Sequence, residues 1–205
     1  MFGFSPAEWK VLRKLDSPRK IQLFLNVLPI NFEPEGDTCF SPRVVLRKKK
    51  AHCMEGALLA AAALRVHGHK PLVVDLTATK NDFDHVITVF KQHNHWGAIS
   101  KTNHAVLRYR DPVYKTIREL VLSYFHEYFD DKGRKNLRSY TNPIDLSRFD
   151  KYNWMTSEEE VWYIPEYLAE AKHFPLLSRK QIAILKKPDT IEMKAGDLVE
   201  WKKPI

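Results

Sequence analysis

An α+β fold is predicted by three features of the sequence. Helix-start signals recur in the first third and again after residue 111. An Ala-rich apolar run extends from Cys53 to about His67. Three short runs of strand character follow one another between Pro71 and Lys101. Together they describe N-terminal helices, a close-packing helix laid on a small antiparallel sheet, and further helices C-terminal to it.

Ser5-Pro6-Ala7-Glu8 has the spacing of a capping box with proline at the first helical position. Ser17-Pro18 repeats the signal, and Ile21, Phe24, Leu25 and Leu28 then recur at helical spacing until Pro29 ends the run. The stretch from Asn31 to Pro42 reads as irregular. In the helix that starts near Cys53, Ala57, Leu58, Ala61 and Leu64 share one face, and Gly68 is placed for a C-terminal stop. Pro71 to Thr77, His85 to Lys91 and His95 to Lys101 read as strands, the last two joined by a link of hairpin length. Asp111-Pro112 reads as a helix start, with Val113, Ile117, Leu120, Val121 and Tyr124 following at helical spacing. Asp130 to Tyr140 is polar and loop-like. Thr156 or Ser157 is placed to cap a helix running to about Lys172, and Ser178 with Gln181 caps a last short helix that Pro188 stops. A small strand is expected around Leu198 to Trp201.

The 205 residues are 44% apolar and 28% charged, the composition of a globular chain long enough to bury a core. The start of the sequence lacks the pattern of a signal peptide, and no apolar run reaches the length of a bilayer span, so a cytoplasmic protein with no membrane association is expected. Two cysteines, Cys39 and Cys53, are too few for a disulfide scaffold. The net charge of +8 favours anionic partners in general, such as nucleic acid or acidic peptides, although only Arg43 and Arg47 to Lys50 cluster in sequence.

Cys53 falls in the first turn of the Ala-rich helix, where unpaired N–H groups and the positive end of the dipole favour a thiolate. The same N–H groups suit the oxyanion of an acyl intermediate. His85 opens a strand after the acidic loop Asn81 to Asp84, and a strand end beside a helix N-terminus can hold an imidazole against a thiol.

The order of these elements resembles the transglutaminase-like superfamily, which includes acyl-transfer enzymes, cysteine peptidases and amidases. Ser41-Pro42-Arg43-Val44-Val45-Leu46 is similar to the segment leading into the family's catalytic helix. Ala51-His52-Cys53-Met54-Glu55-Gly56-Ala57 is similar to its helix start, and Leu64-Arg65-Val66-His67-Gly68 to its helix end. Asp84-His85-Val86-Ile87-Thr88-Val89-Phe90 resembles the strand that begins with the catalytic histidine, and Trp96 opens the last strand as in the family. The resembling region is Phe40 to Lys101. The whole chain is also similar to a group of bacterial transglutaminase-like proteins that supplies no substrate. The resemblance implies a papain/transglutaminase-like domain over residues 1–205, with a core at about 40–101 and a helical extension at about 111–187.

It further implies a Cys53 nucleophile and a His85 base acting on an amide or peptide substrate as a peptidase, amidase or transglutaminase, without cofactor or metal. The family's acid, four residues after the tryptophan, is Ser100 here. Serine can orient an imidazole but cannot support an imidazolium by charge. Asn103 is the second candidate for that role, as in papain-like sites, and Asp111 the third. Lys101, His104, Arg108 and Arg110 are expected to line a cleft and bind a carboxylate or other anion. His93, His95 and His104 lack the acid or cysteine neighbours of a metal site. The alternative reading is an eroded module of the same fold that binds an anionic partner.

Overall fold

A computed structural model describes residues 2–203. Four helices come first: α1 (Pro6–Lys14), α2 (Pro18–Val27), α3 (Pro42–Lys48) and α4 (Cys53–Val66). Strands β1 (Leu72–Thr77), β2 (His85–Gln92), β3 (His95–Ile99) and β4 (Arg110–Tyr114) follow. Then come α5 (Ile117–Phe125), β5 (Ser139–Thr141), β6 (Ile144–Asp145), a 3-10 helix (Leu146–Tyr152), α6 (Tyr163–Glu170), β7 (His173–Pro175), α7 (Arg179–Ala183) and α8 (Thr190–Gly196). The fold is a mixed α/β one, in which several helices surround a small antiparallel sheet. No helix among the described residues is long and apolar enough to cross a membrane.

The strands run β4-β3-β2-β1-β5-β7, with β6 also pairing β1. β5 and β6 share the edge of β1 that faces away from β2, one at each end. Asn142-Pro143 separates them, and in the gap the Asp75 N–H donates to the Thr141 hydroxyl at 3.0 Å. A side chain thus completes the ladder where proline cannot. Successive side chains of each strand enter different cores. Val73, Val86, Phe90 and Ile99 pack with α1 to α4, while Val74, Leu76, Ile87, Val89 and Ala98 pack with α5.

α4 is the central element of the first core. Every residue from Met54 to Leu64 is buried, so the helix has no solvent face, and its apolar character all round follows from that. Small side chains permit this depth. At Gly56 an added Cβ would lie 2.4 Å from the Cβ of Lys101, a distance only glycine avoids. Gly68 (φ +82°) sits just past the helix in the left-handed region, as expected for its stop signal. The Thr88 hydroxyl donates to the Ala57 carbonyl at 2.6 Å and fixes β2 against the first turns of α4.

The structure departs from the sequence expectations in four places. Arg110–Tyr114 is a strand at the sheet edge, and its helix begins at Ile117 under the Thr116 cap. Pro112 is tolerated there because an edge strand leaves one row of N–H groups without a sheet partner. Pro42–Lys48 is a helix capped by Ser41. The helix expected from Thr156 or Ser157 begins only at Tyr163. In the tail, Thr190–Gly196 is helical and the expected strand is a single bridge between His104 and Val199. Residues 111–187 contribute strands as well as helices.

Candidate functional site

Cys53 is the first residue of α4 and is half-buried. His85 is the first residue of β2, buried, and paired with Leu76 near the end of β1. By alternation His85 shares a face with Ile87 and Val89, opposite the face that α4 covers. The two residues nevertheless line one cavity of about 240 Å³, at the end of the sheet where the helix begins.

His85 is oriented by its second nitrogen. Nε2 lies 2.8 Å from the Ser100 hydroxyl, which itself lies 2.6 Å from the Leu107 carbonyl oxygen. The carbonyl can only accept, so Ser100 donates to Leu107 and accepts from His85 Nε2–H. The neutral ring therefore keeps a lone pair on Nδ1, the nitrogen left for the sulfur. Ser100 is held in turn by Gln22 of α2. The Gln22 amide donates to the Ser100 carbonyl at 2.8 Å and accepts from the Ser100 N–H at 2.9 Å. A buried clamp between α2 and the strand end thus sets the angle of the imidazole.

A second imidazole reaches the sulfur. His52, immediately before α4, places Nε2 2.9 Å from the Thr38 carbonyl, 3.4 Å from Glu55 and 3.6 Å from Glu33. In the neutral ring its Nδ1 accepts from the Met54 N–H at 3.3 Å, a long cap that the protonated ring cannot make. Burial disfavours a charged ring here, but the adjacent Cys53 sulfur and Glu55 outweigh it and raise the His52 pKa to about 11. Glu55 is fully buried and saturated with donors. It accepts from Asn31, Thr38, the Phe40 N–H and the His52 N–H. Despite desolvation, the hydrogen bond and charge of the His52 ring, helped by the His52 N–H and Thr38, hold its carboxylate below the usual range. The same contacts fasten the irregular segment 31–40 onto the head of α4.

The sulfur responds to both rings. Burial pushes the Cys53 thiol up, and hydrogen bonding and positive charge at His52 and His85 reverse the effect and bring it down to about 5. The sequence pointed to Cys53, His85 and Ser100, and the structure brings these three together. His52, Glu55 and Gln22 were not singled out. The one local signal was the spacing His52-x-x-Glu55, which forms a capping box with histidine in place of the usual hydroxyl residue.

The remaining expected residues lie in other arrangements. Asn103 binds the tail through the Trp201 N–H and carbonyl, both at 2.9 Å, and makes no contact with His85. Asp111 is an exposed residue of the edge strand. Lys101 is buried, and its ammonium donates to the Leu25 and Leu28 carbonyls at the end of α2. Burial lowers its pKa to about 8. Arg108 pairs with Glu200 at 3.1 Å. Arg110 pairs with Glu127 at 2.7 Å and stacks over Tyr124. Of this group only His104 lines the cavity, with Nδ1 2.8 Å from the Gly196 carbonyl. In the neighbourhood that looked like an anion cleft, Lys101, Arg108 and Arg110 are committed to carbonyls and carboxylates of the chain itself. No family model matches the chain, and no curated protein matches it.

Proposed function

We propose that this protein is a thiol-dependent acyl-transfer enzyme acting on amides, with a papain/transglutaminase-like architecture. The observation that carries the proposal is the shared cavity. A sulfur at the head of a buried helix and an imidazole at the start of the adjoining strand both line it, and the ring's far nitrogen is fixed by Ser100. The motif resemblance over Phe40 to Lys101 supports the same reading.

In this mechanism His85 Nδ1 takes the Cys53 thiol proton and the thiolate attacks the amide carbonyl carbon, forming a C–S bond as the oxygen takes the negative charge. Backbone N–H groups at the start of α4 stabilise that oxyanion. The C–N bond breaks, and the amine leaves with a proton from the His85 imidazolium. Water then attacks the thioester, gives its proton to His85, and releases the carboxylic acid and the thiolate. An amine in place of water gives transamidation. His52 stays charged between Glu33 and Glu55 and stabilises the resting thiolate.

The test is the pH profile of Cys53 alkylation by iodoacetamide, followed by peptide mass spectrometry. Because the folded-state thiol pKa is lowered, reactivity should rise through about pH 5 rather than near the ~8.5 of a free thiol. At pH 6 the thiolate fraction is then roughly 300-fold that of a free thiol, while lower basicity reduces nucleophilicity by about 40-fold. The net expectation is alkylation about tenfold faster than a reference thiol. It should be lost in Cys53→Ala, kept in Cys39→Ala, and moved to higher pH in His85→Ala. An ordinary thiol profile for Cys53 would rule the proposal out.

A further inference from the structure

The chain carries a net charge of +8, yet the cavity at Cys53 has the opposite character. Six carboxylate residues line it: Asp82 and Asp84 from the β1–β2 loop, Glu127, Asp130 and Asp131 beyond α5, and Asp197 at the end of α8. No lysine or arginine lines it among the described residues. Glu127 is neutralised by Arg110 and Asp130 by Arg134. The other four, Asp82, Asp84, Asp131 and Asp197, have no ion-pair partner among the described residues. Asp82 accepts from the Asn136 amide at 3.0 Å, and Asp84 from the Ala78 N–H at 2.7 Å. These bonds hold the carboxylates in place without cancelling their charge.

Negative charge around a thiolate opposes it, so this lining offsets part of what His52 and His85 supply, and a cation in the cavity would relieve that opposition. The uncharged part of the wall fits the same occupant. Phe83 is 90% exposed, an unusual state for phenylalanine, and lines the cavity with Leu107, Phe129 and Met193. Apolar walls beside carboxylates match a side chain with a methylene stem and a charged end, and the aromatic rings suit a cation.

We propose that the site selects cationic substrates, namely amides flanked by a protonated amine or a guanidinium of lysine or arginine type. The proposal rests on the acyl-transfer reading of Cys53, and charged thiol probes test the two separately. In a Cys39→Ala background, Cys53 is reacted with cationic trimethylammonioethyl methanethiosulfonate and with anionic sulfonatoethyl methanethiosulfonate. In each reaction the thiolate attacks the sulfenyl sulfur, a mixed disulfide forms, and methanesulfinate leaves. Both rates are divided by those of 2-mercaptoethanol.

The corrected preference for the cation should be at least about tenfold at low salt and should shrink at high salt. Asp131→Asn with Asp197→Asn, both exposed positions, should reduce it by about threefold. A fast Cys53 with no preference beyond that of the free thiol would overturn the cationic selection and leave the thiol chemistry standing. A preference that this pair of substitutions leaves untouched would also overturn it. A Cys53 of ordinary reactivity, unaffected by His85→Ala, would remove both proposals.

Discussion

The two cysteines lie fourteen positions apart in sequence and close to the same buried carboxylate, yet the protein sets them in opposite states. Cys39 is fully buried in the segment fastened over α4. Desolvation, followed by the negative charge of Glu55, pushes its thiol well above the ordinary range. Cys53 is also desolvated, but two imidazoles face its sulfur and bring its pKa down to about 5. Burial therefore does not decide whether a cysteine is inert. The sign of the nearest charge does, and Glu55 contributes to both signs: directly to Cys39 as a carboxylate, and to Cys53 through the His52 ring, which Cys53 and Glu55 together keep protonated.

Glu55→Gln is the strongest way to break this contrast. It removes a buried charge on which Asn31, Thr38, Phe40 and His52 all converge. Breaking a buried pair from one side costs about 3 kcal/mol, measurable as a drop in the urea midpoint at constant slope. The pH dependence follows from the sign of the shift. The Glu55 pKa is lowered in the folded state, so its stabilisation is present above the ordinary carboxylate pKa and fades as pH falls below it. Wild type and variant should therefore converge in acid. In the variant the two thiol pKa values should also move toward each other, Cys39 down and Cys53 up. If alkylation profiles show both unmoved, Glu55 is not the common cause.

Gly56→Ala acts on the same helix turn by geometry rather than charge. The new methyl would meet the Cβ of Lys101, whose side chain cannot swing away because its ammonium is committed to the end of α2. Forcing the elements apart should cost about 2 kcal/mol, even after the gain in helix propensity of about 1 kcal/mol. Since Ser100 adjoins Lys101, the shift should slow Cys53 alkylation while Cys39 stays unreactive. A fully stable variant with an unchanged profile would show that the close approach does not set the site.

These arrangements explain what could be read in the sequence. Ser5, Ser17 and Ser178 marked their helices correctly because a cap satisfies N–H groups only a few residues away. Asp111-Pro112 misled because the same dipeptide also suits a sheet edge, and pairing with β3 decided between them. Cys53, His85 and Ser100 were legible through motif order. His52 was passed over because its carboxylate support includes Glu33, in a segment with no regular structure. The acidic cavity was invisible because its wall comes from segments around residues 82, 130 and 197 that only the fold unites. The basic residues near 101–110 were conspicuous in sequence and were drawn into internal pairs, so local density of charge gave the wrong sign for the cleft.

The smallest expected effect sharpens the contrast most, because it touches Cys53 alone. Ser100→Ala removes the acceptor for His85 Nε2–H and frees the Leu107 carbonyl, with no contact to Cys39. One neutral hydrogen bond is worth about 1 kcal/mol, so below the Cys53 pKa of about 5 the thiolate fraction should fall by roughly fivefold, and alkylation there should slow. A merely structural role for Ser100 would lower stability and leave the thiol profile in place. A positioning role predicts the reverse balance: a modest change in urea midpoint and a clear upward shift in the pH at which Cys53 becomes reactive, since a loosened ring stabilises the thiolate less. Ser100→Thr keeps the hydroxyl and should restore most of the rate. If threonine rescues nothing while the fold survives, His85 takes its orientation from the packing around it rather than from this bond.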